Sequence, residues 1–377
     1  MKNWLFYIAA AACMASCIYP FDPDLDKSAE KQVVVDGMIL VGGISTIKLD
    51  YLTPVGANTS GNPYGTAWIE DNQGTKYKPA TAREEYGKSF AIPTLPAAGA
   101  TQFRAVVQVD GETYVSEWIT PDPAPVIEKI DFTADDSMVT VSVSLSPGLV
   151  NSGYVGFLYE ETWEFHSDLY PEYYIDIDNW EYYTLEEDYE YPYYWCWTQN
   201  SVNEITLLDY TTLESSSIRN FPLKTFSRSN NRNHKKYSIL VKAFALSREA
   251  YQYNKQVQEM SELGGDLFSP NPGNLSGNLT CQSNPDKKVM GLVLAGNVAS
   301  KRGWMGSDYM INRPPTGIEY LEALTLEEKY NLYMKNYRPS VDAYIEGTHW
   351  GIGWVPHRCI NCVEAGGSQK KPDFWDN

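Results

Sequence analysis

Residues 159 to 197 hold ten Tyr, four Trp and one Phe beside twelve Asp or Glu, without a Lys or Arg. Aromatic rings offer flat, rigid surface at low entropic cost, and carboxylates beside them accept hydrogen bonds from hydroxyls or pair with cations. That chemistry suits a glycan, a cationic peptide or the basic rim of a transporter. Up to Phe165, the pattern is that of a strand with Tyr159, Trp163 and Phe165 on a core face and Glu160 and Glu164 in solvent. From Tyr170 to Tyr194, two prolines (Pro171 and Pro192), few aliphatics and clustered tyrosines predict a long exposed loop or hairpin. Its candidate ligand-binding or partner-binding residues are Tyr173, Tyr174, Trp180, Tyr182 and Tyr183. Asp176-x-Asp178-Asn179 opens like a calcium loop but lacks its glycine and its twelfth-position carboxylate. A basic loop with Arg228, Arg232, Lys235 and Lys236 either folds against the acidic surface or is an ordinary solvated turn.

Abundant carboxylates raise the question of a glycoside hydrolase, which needs an acid and a base at a fixed separation. No motif fixes such a pair here, and there is no serine nucleophile elbow, His-Glu-x-x-His or phosphate loop. The four histidines, at 166, 234, 349 and 357, are scattered. The sequence therefore nominates no catalytic residue and no cofactor, and the expectation is a protein that is not an enzyme.

Six cysteines divide by position. Cys13 and Cys17 belong to the N-terminal segment, while Cys196, Cys281, Cys359 and Cys362 remain for the folded part. In an oxidising compartment four cysteines predict two disulfides, with three connectivities open and a preference for long-range pairing of the tail over a Cys359 to Cys362 loop. A rival reading assembles tetrahedral zinc from His349, His357, Cys359 and Cys362; the spacing matches no familiar zinc module, and no metal is expected.

The N-terminal segment carries Lys2, an apolar run from Trp4 to Ala12, and Met14-Ala15-Ser16 before Cys17. Such a run is too short to span a bilayer, and small residues before a cysteine suit a lipoprotein signal peptidase. Residues 1–16 read as a signal peptide, Cys17 as the acylated residue, and 17–31 as a tether that includes Asp22, Asp24 and Asp26. The 377 residues are 43% hydrophobic and carry a net charge of −18. That is enough chain for about two domains with real cores. A body so acidic repels phosphate backbones, which disfavours nucleic acid.

The elements that must position these residues are mainly strands. Ile47, Leu49 and Tyr51 alternate with polar neighbours, as do Phe103, Ala105, Val107 and Val109 up to the hairpin turn Asp110-Gly111; Asp71 to Gly74 marks another turn. Residues 32–120 thus read as a small β-sandwich. Pro121-Asp-Pro-Ala-Pro125 is a stiff, extended linker, and a second β-rich domain is expected over 121–377 with one or two packed α-helices and a cysteine-containing tail. Its strands include Val139, Val141, Val143 and Leu145 on one face and a run from Tyr237 to Phe244. One helix follows an N-cap at Ser247, with Ala250, Tyr253, Val257 and Met260 on a face before Gly264-Gly265. A second starts at Thr325, with Glu328 completing a capping box and Leu326, Tyr330, Met334 and Tyr337 forming a packing stripe.

Several stretches together resemble one family. They are Cys17-Ile-Tyr-Pro20 with Val33 to Gly37, the run from Tyr237 through Ser247 to Tyr253, Asp266 to Pro272 with Gly277-Asn278, Asn284-Pro285 before Val289, and a tail of Cys359-Ile-Asn-Cys362, Gly366-Gly367 and Lys371 to Trp375. The chain resembles, over nearly all its mature length, the Bacteroidota lipoprotein family catalogued as domain of unknown function 4249. The resemblance implies an outer-membrane lipoprotein encoded beside a TonB-dependent receptor, with an immunoglobulin-like N-terminal region and no established activity. Acidic residues after the acylated cysteine imply display at the cell surface. The expected function is accessory to that transporter in nutrient capture or uptake; an envelope hydrolase of glycan or peptide, and an adhesin or envelope scaffold, are the alternatives.

Overall fold

Alternating apolar residues become half-buried strands wherever two sheets can share one core, and the described chain does this twice. The computed structural model describes residues 32–52, 63–81, 84–146, 152–186, 188–212, 218–262, 277–310, 317–345 and 347–376. The signal segment, Cys17, the tether with its aspartates, Gly264-Gly265 and the stretch from Asp266 to Pro272 lie outside the described residues, as does the side chain of Met260.

The first core lies between strands β1 (Gln32–Val41), β2 (Gly43–Leu52), β3 (Gly65–Asp71), β4 (Lys76–Tyr77), β5 (Tyr86–Gly87), β6 (Ser89–Thr94), β7 (Phe103–Val109) and β8 (Glu112–Ser116). Ile47, Leu49, Phe103, Ala105, Val107 and Val109 are buried there, on the face their alternation predicts. Asp110 and Gly111 both take positive φ, as a two-residue hairpin turn requires. At the other expected turn, Asp71 Oδ1 accepts from the backbone N–H groups of Gln73 and Thr75.

The second core begins with β9 (Ile127–Ala134), β10 (Met138–Leu145) and β11 (Tyr154–His166). A hairpin of β12 (Tyr173–Asp176) and β13 (Glu181–Thr184) follows, then β14 (Trp195–Asp209), β15 (Ile218–Ser227), β16 (Lys236–Ala245) and helix α1 (Arg248–Glu262). One sheet runs β15-β10-β9; the other, β14-β11-β16, gains β20 (Ala299–Trp304) at its edge. Val139, Val141, Val143 and Leu145 pack against Phe157, Tyr159, Trp163 and Tyr237. Ser247 Oγ accepts from Ala250 N–H, capping α1 as expected.

Chain from beyond residue 262 returns to the first pair of sheets. β17 (Leu279–Cys281) pairs with β8, while β18 (Val289–Met290) and β19 (Val293–Asn297) pair in parallel with β1. A third apolar cluster, Met38 and Leu40 with Phe244, Leu246 and Ala250, joins β1 to β16 and α1. The end of the chain forms helix α2 (Leu326–Met334) and the pair β21 (Tyr337–Ile345) and β22 (His349–Pro356). The fold is thus mainly β and sandwich-like.

The capping box is present at the start of α2: Thr325 Oγ1 accepts from Glu328 N–H and the Glu328 carboxylate accepts from Thr325 N–H. The expected packing stripe is not. Leu326 is 62% and Met334 65% exposed, with Tyr330 also exposed, and Tyr337 already belongs to β21. α2 has only nine residues and lies against the small β21–β22 pair rather than a broad sheet, so one apolar side stays in solvent.

Glu164 departs from its expected place in solvent. β11 is a central strand with both faces covered, so alternation does not separate a wet face from a dry one. Glu164 is buried, accepting from Trp375 Nε1 at 3.1 Å and pairing with Lys235 at 2.5 Å. The expectation of two disulfides also needs correction. Cys196 and Cys362 are bonded, with Cα atoms 5.7 Å apart, which is the long-range pairing of the tail. Cys281 and Cys359 are buried free thiols: Cys281 lies on β17 in the first core, and Cys359 packs with Val355 and Ile360.

Candidate functional site

The hairpin β12–β13 turns because short polar side chains fix its backbone. Asp176 Oδ1 accepts from Asp178 N–H and Asn179 Oδ1 from Glu181 N–H, so these residues shape a turn. Trp180 closes it with φ of 60°, a region that an aromatic residue seldom occupies. Contacts outside the hairpin hold that conformation. The Trp180 ring meets Tyr330 and Tyr333 of α2 edge-on, each at 5.7 Å, and Lys329 Nζ donates to the Trp180 carbonyl at 2.8 Å.

The five tyrosines and tryptophans singled out in the sequence split into two groups. Tyr182 is half-buried: its hydroxyl donates to the Ala323 carbonyl and accepts from Trp354 Nε1, both at 3.0 Å, with Lys329 over its ring. Tyr173 donates to Asp342 at 3.1 Å. With Trp180, these residues fasten the hairpin to α2, β21 and β22, so they serve packing. Tyr174 and Tyr183 are different. They sit opposite each other across the strands, stacked at 5.2 Å, and are 47% and 37% exposed.

Tyr174 also lines a cleft of about 610 Å³. One wall is Pro171, Tyr173, Tyr174 and Ile175 with Thr184, Leu185 and Glu186; Tyr189 and Tyr191 continue it, and Tyr333, Arg338, Pro339, His357 and Ile360 close the far side. The 189–194 segment is placed by Tyr170, whose hydroxyl donates to the Tyr189 carbonyl and accepts from Tyr191 N–H. Cys362 N–H donates to the Tyr193 carbonyl, and the Cys196–Cys362 disulfide ties this wall to the tail.

Burial governs the ionisation of the lining. It pushes Tyr191 up to about 12, with the neighbouring tyrosines adding to the rise, and it raises Tyr173, whose bond to Asp342 acts in the same direction. Burial holds His357 below its ordinary value, against the pull of Glu364, whose Oε1 lies 2.7 Å from Nδ1 without hydrogen-bond alignment. Burial thus favours the uncharged forms of Tyr173, Tyr191 and His357, and Arg338 is a cation in the same lining. Its Nη1 donates to the carbonyls of Tyr333 and Tyr337, and its guanidinium stacks on the Tyr333 ring at 3.7 Å.

Sequence reasoning found Tyr173 and Tyr174 but not Tyr189, Tyr191, Tyr333 or Arg338, and it named His357 only as a candidate zinc ligand. Tyr189 and Tyr191 carried a signal, since they belong to the same biased stretch. Arg338 carried none, because its place depends on how β21 packs beside the hairpin. The rival zinc set is not assembled: His349 contacts Glu322 and Thr348, His357 contacts Glu364, and Cys362 is in the disulfide. Among the described residues no group of His, Cys, Asp and Glu is placed to hold a metal ion. Nor is any helix among them long and apolar enough to cross a membrane.

Residues 18–302 match the family described as Domain of unknown function (DUF4249). The tail from Cys359 to Trp375 lies beyond that match, although its pattern formed part of the resemblance. Comparison with curated proteins finds no match. Among solved structures, Escherichia coli alpha-2-macroglobulin activated by porcine elastase aligns at 12% identity over 58% of this chain and 19% of its own, with a TM-score of 0.20. A trypsin-activated alpha-2-macroglobulin from Escherichia coli aligns at 11% identity over 58% of this chain and 15% of its own, with a TM-score of 0.18. The chain thus spans under a fifth of the length of each, and likeness at those TM-scores carries no argument.

Proposed function

The chain belongs to the DUF4249 family, whose description leaves activity open, and from that premise we propose that it is a non-enzymatic accessory to a TonB-dependent transporter, capturing a nutrient in the tyrosine-lined cleft. The observation that carries this reading is the cleft itself, lined by Tyr173, Tyr174, Tyr189, Tyr191 and Tyr333, with the exposed Tyr174 stacked on Tyr183 at its edge. Concave sites with several rigid aromatic faces and a few polar groups are the usual form of small-ligand recognition. The setting is an outer membrane of the Bacteroidota type, with the protein lipid-anchored through Cys17 and displayed at the cell surface. Supporting it are the small residues before Cys17 and the aspartates at 22, 24 and 26.

Two variants test the reading in cells. Cys17→Ala should abolish palmitate incorporation, and protease added to intact cells should degrade the unmodified protein. Tyr174→Ala with Tyr183→Ala should lower nutrient-dependent growth while leaving the protein folded and anchored. Normal growth of the double variant would sink the cleft as the capture site, and loss of receptor co-purification in the same variant would move the residues from cargo to partner contact. Replacing Trp180 or Tyr182 in that experiment would confuse the outcome, because both hold the hairpin in place.

A further inference from the structure

Arg338 stands in an unusual position for a cation in so acidic a molecule. The neighbouring stretch contributes Glu172, Asp176, Asp178, Glu181, Glu186, Asp188 and Glu190, yet none of these forms an ion pair among the described residues. Arg338 lines the same cleft as Glu186, and its partners are two backbone carbonyls, both taken by Nη1. The Nε and Nη2 edge has no hydrogen-bond partner among the described residues. That edge is the half of a guanidinium fork that receives a carboxylate through two parallel bonds. Stacking on Tyr333 fixes the plane of the fork before any ligand arrives, so little side-chain freedom is lost on binding.

The rest of the lining narrows the class. Tyrosine faces accept the flat face of a ring, while Thr184, Glu186 and the tyrosine hydroxyls supply donors and acceptors for ring hydroxyls. Glu186 in the same wall disfavours a second negative charge. We propose that the cleft takes an acidic sugar residue of a saccharide, with its single carboxylate on Arg338 and its ring against the tyrosines. This rests on the reading of the cleft as the capture site and adds the ligand class to it.

The test is calorimetric titration of the full mature chain with trigalacturonate and with its methyl-esterified form, which keeps the rings and removes the charge. The acid should bind at least about tenfold more tightly than the ester, the range expected when a hydrogen bond to a charged group is lost. Arg338→Gln should bring the acid down to the level of the ester, and Tyr174→Ala should weaken both by a similar factor. Equal binding of acid and ester by the natural chain overturns the proposal, and that comparison stands even where Arg338→Gln perturbs folding. Tighter binding of benzoate, or of a short peptide with a free terminal carboxylate, also overturns it by replacing the saccharide with another class. Absence of binding to every probe overturns the ligand class, while the growth and co-purification assays on Tyr174 and Tyr183 judge the capture reading separately.

Discussion

Two parts of the stretch from 159 to 197 share an aromatic and acidic character and meet different fates. In the first half Glu161 and Glu164 go inside. Glu161 is 0% exposed and accepts from Arg232 Nε and Nη2, Lys224 Nζ, Asn200 Nδ2 and the Tyr237 hydroxyl, while Glu164 takes Lys235 and Trp375. In the second half, from Glu172 to Glu190, the carboxylates make no ion pair among the described residues, and tyrosines stand partly in solvent. A buried charge is tolerable only when its hydrogen-bonding capacity is met, so the first half is committed to the fold. The second half keeps carboxylates without ion pairs among the described residues and the exposed rings of Tyr174 and Tyr183 available. Availability, rather than abundance, separates a site from a core.

The sharpest way to break this contrast is at Glu161. Glu161→Ala leaves Arg232 and Lys224 without their carboxylate in a buried setting and should cost about 3–5 kcal/mol, read from urea unfolding. A cost below about 1 kcal/mol would show that the first half is no more committed than the second. The acid limb offers a second reading of the same residue. Burial raises the Glu161 carboxyl, but bonds from Arg232, Lys224 and Asn200 outweigh it and hold the group below its ordinary 4.5. The folded form thus favours the carboxylate, so its contribution is present above 4.5 and lost as pH falls through the lower folded value. Glu161→Gln should flatten that part of the stability profile.

Next in size is the covalent tie at the end of the stretch. Cys196→Ser removes a link to Cys362 that closes a separation of 166 residues, and it should lower stability by about 2–4 kcal/mol, with the same loss on reduction of the natural chain. A reductant effect that persists in Cys196→Ser would assign it elsewhere. Smaller again is Tyr182→Phe, which leaves Trp354 Nε1 without its acceptor and the Ala323 carbonyl without its donor. About 1–3 kcal/mol is expected. The measurement sharpens the comparison because Tyr182 lies in the available half yet does the work of the committed one.

Much of the architecture was legible because alternation is local. Val139 to Leu145, Phe103 to Val109, the Asp110-Gly111 turn and the caps at Ser247 and Thr325 all depend on neighbours within a few residues. What failed depended on distant chain. The basic loop does fold against the acidic stretch, with Arg232 on Glu161 and Lys235 on Glu164, but Lys224, 63 residues after Glu161, and the Trp375 that covers Glu164, 211 residues later, lie beyond any sequence window. The exposed stripe of α2 failed for the same reason: periodicity predicts an apolar face but not whether a layer exists to cover it. Within the cleft, residue type identified the hairpin tyrosines, whereas separating Tyr174 from Tyr182 required knowing that β22 lies beneath one and not the other.

The smallest stability effect carries the most functional weight. Tyr174 and Tyr183 stack on each other, and the bond recorded for their hydroxyls is one from Asn179 Nδ2 to Tyr183 at 3.1 Å. Removing either ring takes away one exposed contact and should change stability by under about 0.5 kcal/mol. Ligand binding should respond far more strongly, since an aromatic anchor at a recognition surface often contributes 2 kcal/mol or more, roughly a thirtyfold loss of affinity. The diagnostic is therefore the ratio of the two effects: a large binding loss at unchanged melting temperature belongs to an available residue, and parallel losses belong to a committed one. If Tyr174→Ala lowers the melting temperature as much as Tyr182→Phe does, the division within the hairpin fails, and the cleft becomes a packing defect rather than a site.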